Sequence, residues 1–343
     1  MKALVYRGER DVALCDVPKP APSETEVLVE TKAVGICGSD LGIYRGEFPK
    51  IDPPLTIGHE GGGIVREVGR LVTSVKVGDR VAVSPIVYCG RCEYCLRGRY
   101  SLCDDLKTMG MIEINGEYAE YFVAPERNCH VVPDRLSWNA AGLIDTLAGP
   151  ALAMDRARMP QHATVAIFGP GPAGLFFAKL AKLGGAASVT LVGTRDERLA
   201  LGAQYGVDTR LNVRSEDVVS RILEATDGRG VDTVIEASGS PQAILDGVNV
   251  LKKGGELVLY GVFDGEPVPT DLLRFVLNEN SCFGIADNTG GYRLAIELLS
   301  DGIVDAEPLV SHVLSIDELP EAFAGGMIEK RTGGYIKGVV RFE

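Results

Sequence analysis

Four cysteines stand close together at Cys89, Cys92, Cys95 and Cys103, spaced Cys-x2-Cys-x2-Cys-x7-Cys. In a reducing compartment such a cluster reads as a ligand set rather than as disulfides. Zinc takes four tetrahedral ligands with sulfur at about 2.3 Å, and two-residue spacings let a tight turn aim successive thiolates at one point. Four sulfurs leave no open position, so the expected zinc is structural. A four-cysteine iron–sulfur cluster is the rival reading, and four free thiols the plain one. A second, less local constellation sets Cys37 in GICGSD beside His59 and Glu60 in GHEGGG. A lone histidine is more often packed or solvated than bound to metal. His59 differs because glycines flank the His-Glu pair and permit close backbone approach. Sulfur, nitrogen and oxygen donors together point to a catalytic zinc with an open position. A further protein ligand must come from elsewhere; Asp145, in LIDTLAG, is the candidate, although spacing does not select it.

The third chemical motif is Gly169-Pro170-Gly171-Pro172-Ala173-Gly174. It follows the apolar run TVAIF and opens a helical stretch, the context a dinucleotide loop requires. Gly169 allows the turn, Gly171 the approach of a pyrophosphate, and Gly174 close packing of helix on strand. With Pro172 and Ala173 these residues present the N–H groups and the positive end of a helix to phosphate. An NAD site usually carries an acid at the end of the next strand. Here SVTLV ends in Gly193, Thr194 and Arg195. Small residues leave room for a 2′-phosphate and Arg195 can pair with it, so NADP is expected, with NAD possible if Asp196 or Glu197 takes the ribose instead.

These groups need scaffolds. The chain has 343 residues, 45% of them hydrophobic and 24% charged, enough for two domains at roughly 150 residues each. Residues 1–150 read as strands and turns, with runs such as EVLVETKAV, GGIVREV and DRVAVSP cut by Gly, Pro and Asp. From Thr164 short apolar strands alternate with helical stretches to about residue 290, which implies a parallel sheet wound by right-handed crossovers. Residues 291–343 hold two expected helices, around YRLAIELLS and DELPEAFAG, and a final strand. The net charge of −12 excludes nucleic acid as an average partner. No apolar run reaches the roughly 18 residues of a membrane span, and MKALVYRGER lacks a signal peptide's apolar core. A cytoplasmic protein is expected, with no membrane partner.

Taken together the motifs resemble those of the zinc-dependent medium-chain alcohol/polyol dehydrogenases, over essentially the whole chain. The family's zinc signature G-H-E-x2-G-x5-[GA]-x2-[IVSAC] is met by Gly58, His59, Glu60, Gly63, Gly69 and Val72. GICGSD, the four-cysteine loop and the nucleotide loop follow in the family's order. The resemblance implies an α/β fold class: a GroES-like, β-rich catalytic domain at 1–150 with both zinc sites, a Rossmann doubly wound cofactor domain at 151–290, and a segment 291–343 that returns to the first. It implies that Cys37 and His59 bind the catalytic zinc, that Asp145 occupies the third-ligand position, and that Glu60 can exchange onto the metal. Ser39 matches the residue that relays the alcohol proton. Gly193-Thr194-Arg195 is similar to the Gly-Ser-Arg turn of NADP-dependent bacterial secondary alcohol dehydrogenases. Two departures stand out: Gly42 where many relatives have His, and Gly61-Gly62 where many have a bulkier residue after the His-Glu pair.

The expected activity is hydride transfer between an alcohol and NAD(P), with two zinc ions per chain. The metal polarises the alcohol as a Lewis acid and Ser39 accepts its proton. A sugar or polyol ranks first as substrate, a simple secondary alcohol second and a threonine-type substrate third. A nucleotide-binding protein without catalysis is the alternative from another class, and the intact Cys37, His59, Asp145 and Ser39 speak against it. A homo-oligomer, dimer or tetramer, is expected from the resemblance.

Overall fold

A computed structural model describes residues 1–48, 50–263, 265, 267–286, 288–330 and 334–343. The chain divides into two compact units: Met1–Ala148 with Asp287–Glu343, and Gly149–Ala286.

The first unit is built on a seven-stranded sheet. Its spatial order is Cys129–Val131, Arg80–Val83, Glu60–Val68, Glu26–Gly35, Lys337–Arg341 and Val310–Ser315, and Tyr121–Pro125 also pairs with Glu26–Gly35. The apolar alternation of EVLVETKAV puts Val27 and Val29 into a core with Val65, Val81, Val83 and Phe122. The last strand, Lys337–Arg341, runs antiparallel to Glu26–Gly35, with Val340 opposite Val34. Val340 and Phe342 thereby join a second core with Tyr44, Ile57, Tyr118 and Phe323. One register matters for chemistry: Glu26–Gly35 and Glu60–Val68 are antiparallel, with Gly35 opposite Glu60.

The stretch up to residue 150 holds more than strands and turns. Gly38–Tyr44, Trp138–Ala141 and Ile144–Arg156 are helices. The last contains Pro150 in its interior, a local signal against helix. Burial of Ile144, Leu147, Ala151 and Ala153 overrides it, because tertiary packing outweighs a single propensity.

The second unit is a six-stranded sheet of order Thr209–Asn212, Ser188–Gly193, Thr164–Phe168, Val231–Glu236, Leu251–Leu259, Ser281–Gly284. Every pairing in it is parallel. Chain order runs outward one way from Thr164–Phe168 and the other way from Val231–Glu236. The switch point therefore lies between these two strands, where open α/β sheets bind nucleotides at the strands' carboxyl ends. Helix Pro172–Leu183 buries Leu175, Phe176 and Phe177, and Ala243, Ile244 and Val248 of helix Pro241–Val250 pack into a core with Phe168, Val192, Val234 and Leu257. Among the described residues no helix is long and apolar enough to cross a membrane.

Candidate metal centre and cofactor loop

The register Gly35 opposite Glu60 decides the first site. Cys37 lies just past the end of one strand and His59 just before the start of its neighbour, so the two are brought side by side. Ligand atoms of Cys37, His59 and Glu60 all lie within 4.8 Å of one another. Cys37 caps helix Gly38–Tyr44, and its N–H donates to Asp40 Oδ2 at 2.9 Å. Asp40 is fully buried. Its Oδ2 also accepts from the Tyr118 hydroxyl at 2.7 Å, while Oδ1 faces His59 Nδ1 at 3.3 Å, out of line for a hydrogen bond. The Asp40 carboxylate thus faces the Nδ1 side of the ring as a charged neighbour, which leaves Nε2 for a metal. Ser39 Oγ lies 3.2 Å from that Nε2. Burial disfavours a charged His59, yet Asp40 and Cys37 outweigh it and hold the imidazole well above its usual range.

Glu60 is buried beside the equally buried Lys337, with which it forms an ion pair, and its Oε2 accepts from Thr146 Oγ1 at 3.1 Å. Burial works against the Lys337 charge, but Glu60 and Cys37 keep the ammonium raised. Asp145 is not in the three-residue group. It sits in the first turn of Ile144–Arg156, where its Oδ1 accepts from the Tyr292 hydroxyl at 2.6 Å and from Asn288 Nδ2 at 2.5 Å. Burial and the charge of Glu60 push its carboxyl up to about 6. Glu117 is a further buried acid, raised well above the carboxylate range by burial, against a lowering pull from His59. Asp40, Glu117, Tyr292, Asn288 and Lys337 were not found from sequence. Asp40 left a signal, since a capping residue three positions after Cys37 fits a capping box. Lys337 left none, being separated by most of the chain.

The donor set fits a divalent zinc: one sulfur, one nitrogen, one carboxylate oxygen, and buried acids that a cation would balance. The four-cysteine loop fits a second. Cys89, Cys92, Cys95 and Cys103 also lie within 4.8 Å of one another. Cys89 and Cys95 sulfurs are 3.9 Å apart, against about 3.8 Å for the edge of a tetrahedron with 2.3 Å bonds. Backbone N–H groups already serve the sulfurs: Cys89 donates to Cys103 at 3.2 Å and Cys92 to Cys89 at 3.4 Å. Those from Arg91 and Cys92 lower the Cys89 thiol to about 6.

In the second unit Gly169 ends the strand Thr164–Phe168 with φ +113°. A Cβ there would stand 2.8 Å from the Ala237 backbone, at the switch point. Gly171 caps helix Pro172–Leu183 and has open space where a Cβ would project, a cradle of the kind a pyrophosphate fills. Pro172, Ala173 and Gly174 form the helix's first turn. Gly193 has a steric reason of its own: a Cβ would meet Pro170 at 2.4 Å. An acid is therefore excluded there by packing, and the 2′-phosphate argument passes to Arg195. Arg195 precedes helix Asp196–Leu201. Asp196 is engaged, its Oδ1 accepting from Asn212 Nδ2 at 2.7 Å.

The cysteine loop yields a direct expectation. Cys95→Ser should lose one zinc per chain and melt at a lower temperature, because metal binding is part of the folding free energy. Elemental analysis with thermal denaturation checks it; full zinc at unchanged melting temperature contradicts it.

Comparison with known proteins shows the family. Residues 23–134 match the alcohol dehydrogenase GroES-like domain and residues 172–301 the zinc-binding dehydrogenase domain. A sorbitol dehydrogenase of Bacillus subtilis (strain 168) is 34% identical over 94% of this chain and 92% of its own. A D-arabitol-phosphate dehydrogenase of Enterococcus avium is 34% identical over 92% and 91%. A zinc-binding dehydrogenase of Sinorhizobium meliloti 1021, crystallised bound to NADP, superposes with a TM-score of 0.94 at 30% identity, covering 99% of both chains. With matches of this extent, the chain belongs to the zinc-dependent medium-chain alcohol/polyol dehydrogenases, enzymes that pass a hydride between an alcohol carbon and a nicotinamide cofactor.

Proposed function

We propose that this enzyme oxidises a polyol or sugar alcohol, or reduces the matching ketone, with NADP(H) preferred. The observation that carries the reading is the buried sulfur–nitrogen–carboxylate cluster of Cys37, His59 and Glu60, in a chain whose relatives include a sorbitol and a D-arabitol-phosphate dehydrogenase. A zinc ion held by these three would supply Lewis-acid polarisation of the substrate oxygen, and the nicotinamide would supply or accept the hydride. Asp40 faces the Nδ1 side of the His59 ring with its charge. Lys337 and Thr146 hold Glu60 by one oxygen, Oε2. Ser39 is the proton acceptor in this reading, supported by its place 3.2 Å from His59 Nε2. Asp145 orients substrate or solvent at the metal's edge, itself oriented by Tyr292 and Asn288. The first unit then serves as catalytic domain and Gly149–Ala286 as cofactor domain. Cys89, Cys92, Cys95 and Cys103 hold the structural zinc. Thiols kept for metal fit a cytoplasmic setting.

A homo-oligomer is part of the reading. Val262, Leu272, Leu273, Val276 and Leu277 are 64–80% exposed, next to the edge strand Ser281–Gly284. Apolar side chains gathered at an unpaired sheet edge favour a second copy over water. Sedimentation equilibrium should give at least twice the 36.6 kDa of one chain; a monomer at micromolar concentration removes this part.

Asp145→Asn tests the carboxylate. Turnover should fall about 10- to 100-fold, the scale on which metal-site partners act, while zinc content and NADP(H) affinity hold. Loss of zinc would make Asp145 a ligand, and unchanged turnover would remove it from the site.

A screen of sugars, polyols and ketones with both cofactors tests the substrate class and the cofactor together. NADP(H) should give the higher kcat/KM. Arg195→Ala should cost it selectively by about ten- to a hundredfold, since a charged hydrogen bond is worth about 1.5–3 kcal/mol. Equal or better use of NAD(H) by the wild type would pass the ribose to Asp196 or Glu197. Activity confined to simple secondary alcohols would replace the polyol reading.

A further inference from the structure

Glu117 has no task in the chemistry above, yet it is the most isolated charge of the neighbourhood. It is fully buried, and among the described residues neither carboxyl oxygen has a side-chain partner; the Gly61 backbone is what lies against it. Its placement is not loose. The Glu117 N–H donates to the Gly58 carbonyl at 2.9 Å and the Tyr118 N–H to the Ile57 carbonyl at 3.0 Å. These bonds stitch its loop to the segment that delivers His59. The side chain lies against Gly61: a Cβ built there would stand 2.6 Å from Glu117 Oε2. A side chain after the His-Glu pair would strike this carboxyl and also the Ala33 carbonyl, 2.8 Å from the same Cβ, so glycine at 61 leaves room for Glu117 next to Glu60.

A carboxylate stripped of water and of hydrogen bonds is strongly unfavourable unless a cation faces it. Lys337 is already paired with Glu60. The positive charges left to face it are the His59 imidazole and the ion that Cys37, His59 and Glu60 would hold. We propose that Glu117 is a positioning carboxyl of that metal centre: it donates no ligand atom, but its acid group, held against Gly61 next to Glu60, strengthens the hold on a divalent cation. The inference rests on the metal-centre reading given above.

Zinc content and chelator competition at neutral pH, on wild type, Glu117→Gln and Cys37→Ser, test it, together with melting of the metal-depleted proteins. Cys37→Ser sets the background of the four-cysteine zinc alone. If it holds as much zinc as wild type, the metal-centre reading itself is wrong. If it loses one zinc, Glu117→Gln should bind that zinc about 10- to 100-fold more weakly, as partners of ligands do, with the four-cysteine zinc unchanged. The metal-depleted Gln variant should melt no lower than metal-depleted wild type, because the amide, like a carboxyl that burial holds toward its neutral form, has no charge to desolvate. This opposition of signs separates the proposal from a merely structural role. With Co2+ in the site, the visible bands of Glu117→Gln should keep their positions and need more metal to appear. Affinity within about twofold of wild type, a melting temperature that falls in step with affinity, or shifted Co2+ bands each overturn it. Should the amide variant fold poorly, Glu117→Met, apolar and of similar length, carries the same expectations.

Discussion

The metal centre depends on one cross-strand register. Gly35 lies opposite Glu60, so the chain leaves one strand and enters its neighbour at the same level. Cys37 and His59, far apart in sequence, become neighbours because each sits within two residues of that pairing. A slip of one residue would turn every side chain of the strand Glu60–Val68 to the other face of the sheet. The register is pinned by apolar alternation, with Val27, Val29 and Val65 in one core, and by Lys337–Arg341 on the other edge of Glu26–Gly35. That last strand also carries Lys337, so the residue that pairs with Glu60 arrives through the same hydrogen-bonded ladder.

Around the donors the structure concentrates acidic side chains out of water. Asp40, Glu60, Glu117 and Asp145 are all buried, against His59 and Lys337. Each of the four has a different arrangement: Asp40 is held by a tyrosine and a backbone N–H, Glu60 by lysine and threonine, Asp145 by tyrosine and asparagine, and Glu117 by none of these. Burying so many acids is costly for a fold that gains nothing from them. The cost makes sense where a doubly charged cation is bound, since metal binding then offsets the desolvation.

In the cofactor unit the decisive constraint is steric. Helix Pro172–Leu183 must start close against the end of Thr164–Phe168, at the switch point of the sheet. Pro170, in the loop between them, occupies the space that a side chain at 193 would need. A position that reads as a cofactor selector in sequence is thus already settled by packing, and selectivity must come from the turn that follows.

The sequence alone specified the fold class, because period-2 runs and alternating strand and helix stretches are local signals that the folded chain keeps. It also marked the four cysteines and the glycine loop, whose partners lie within a few residues and whose spacing carries the geometry. It did not specify helix Ile144–Arg156, since Pro150 argues against helix locally and only burial of Leu147 and Ala151 overrides it. Nor could it rank Glu60 against Asp145 as the acid nearest to Cys37 and His59. That ranking depends on the strand register and on Tyr292 and Asn288, which hold Asp145 from more than a hundred residues away. Glu117 and Lys337 were decided by tertiary structure alone. A lone charged residue in a strand or loop looks solvent-facing until the fold removes the water, and only the assembled sheet shows that Lys337 meets Glu60 while Glu117 meets no side-chain hydrogen-bond partner among the described residues.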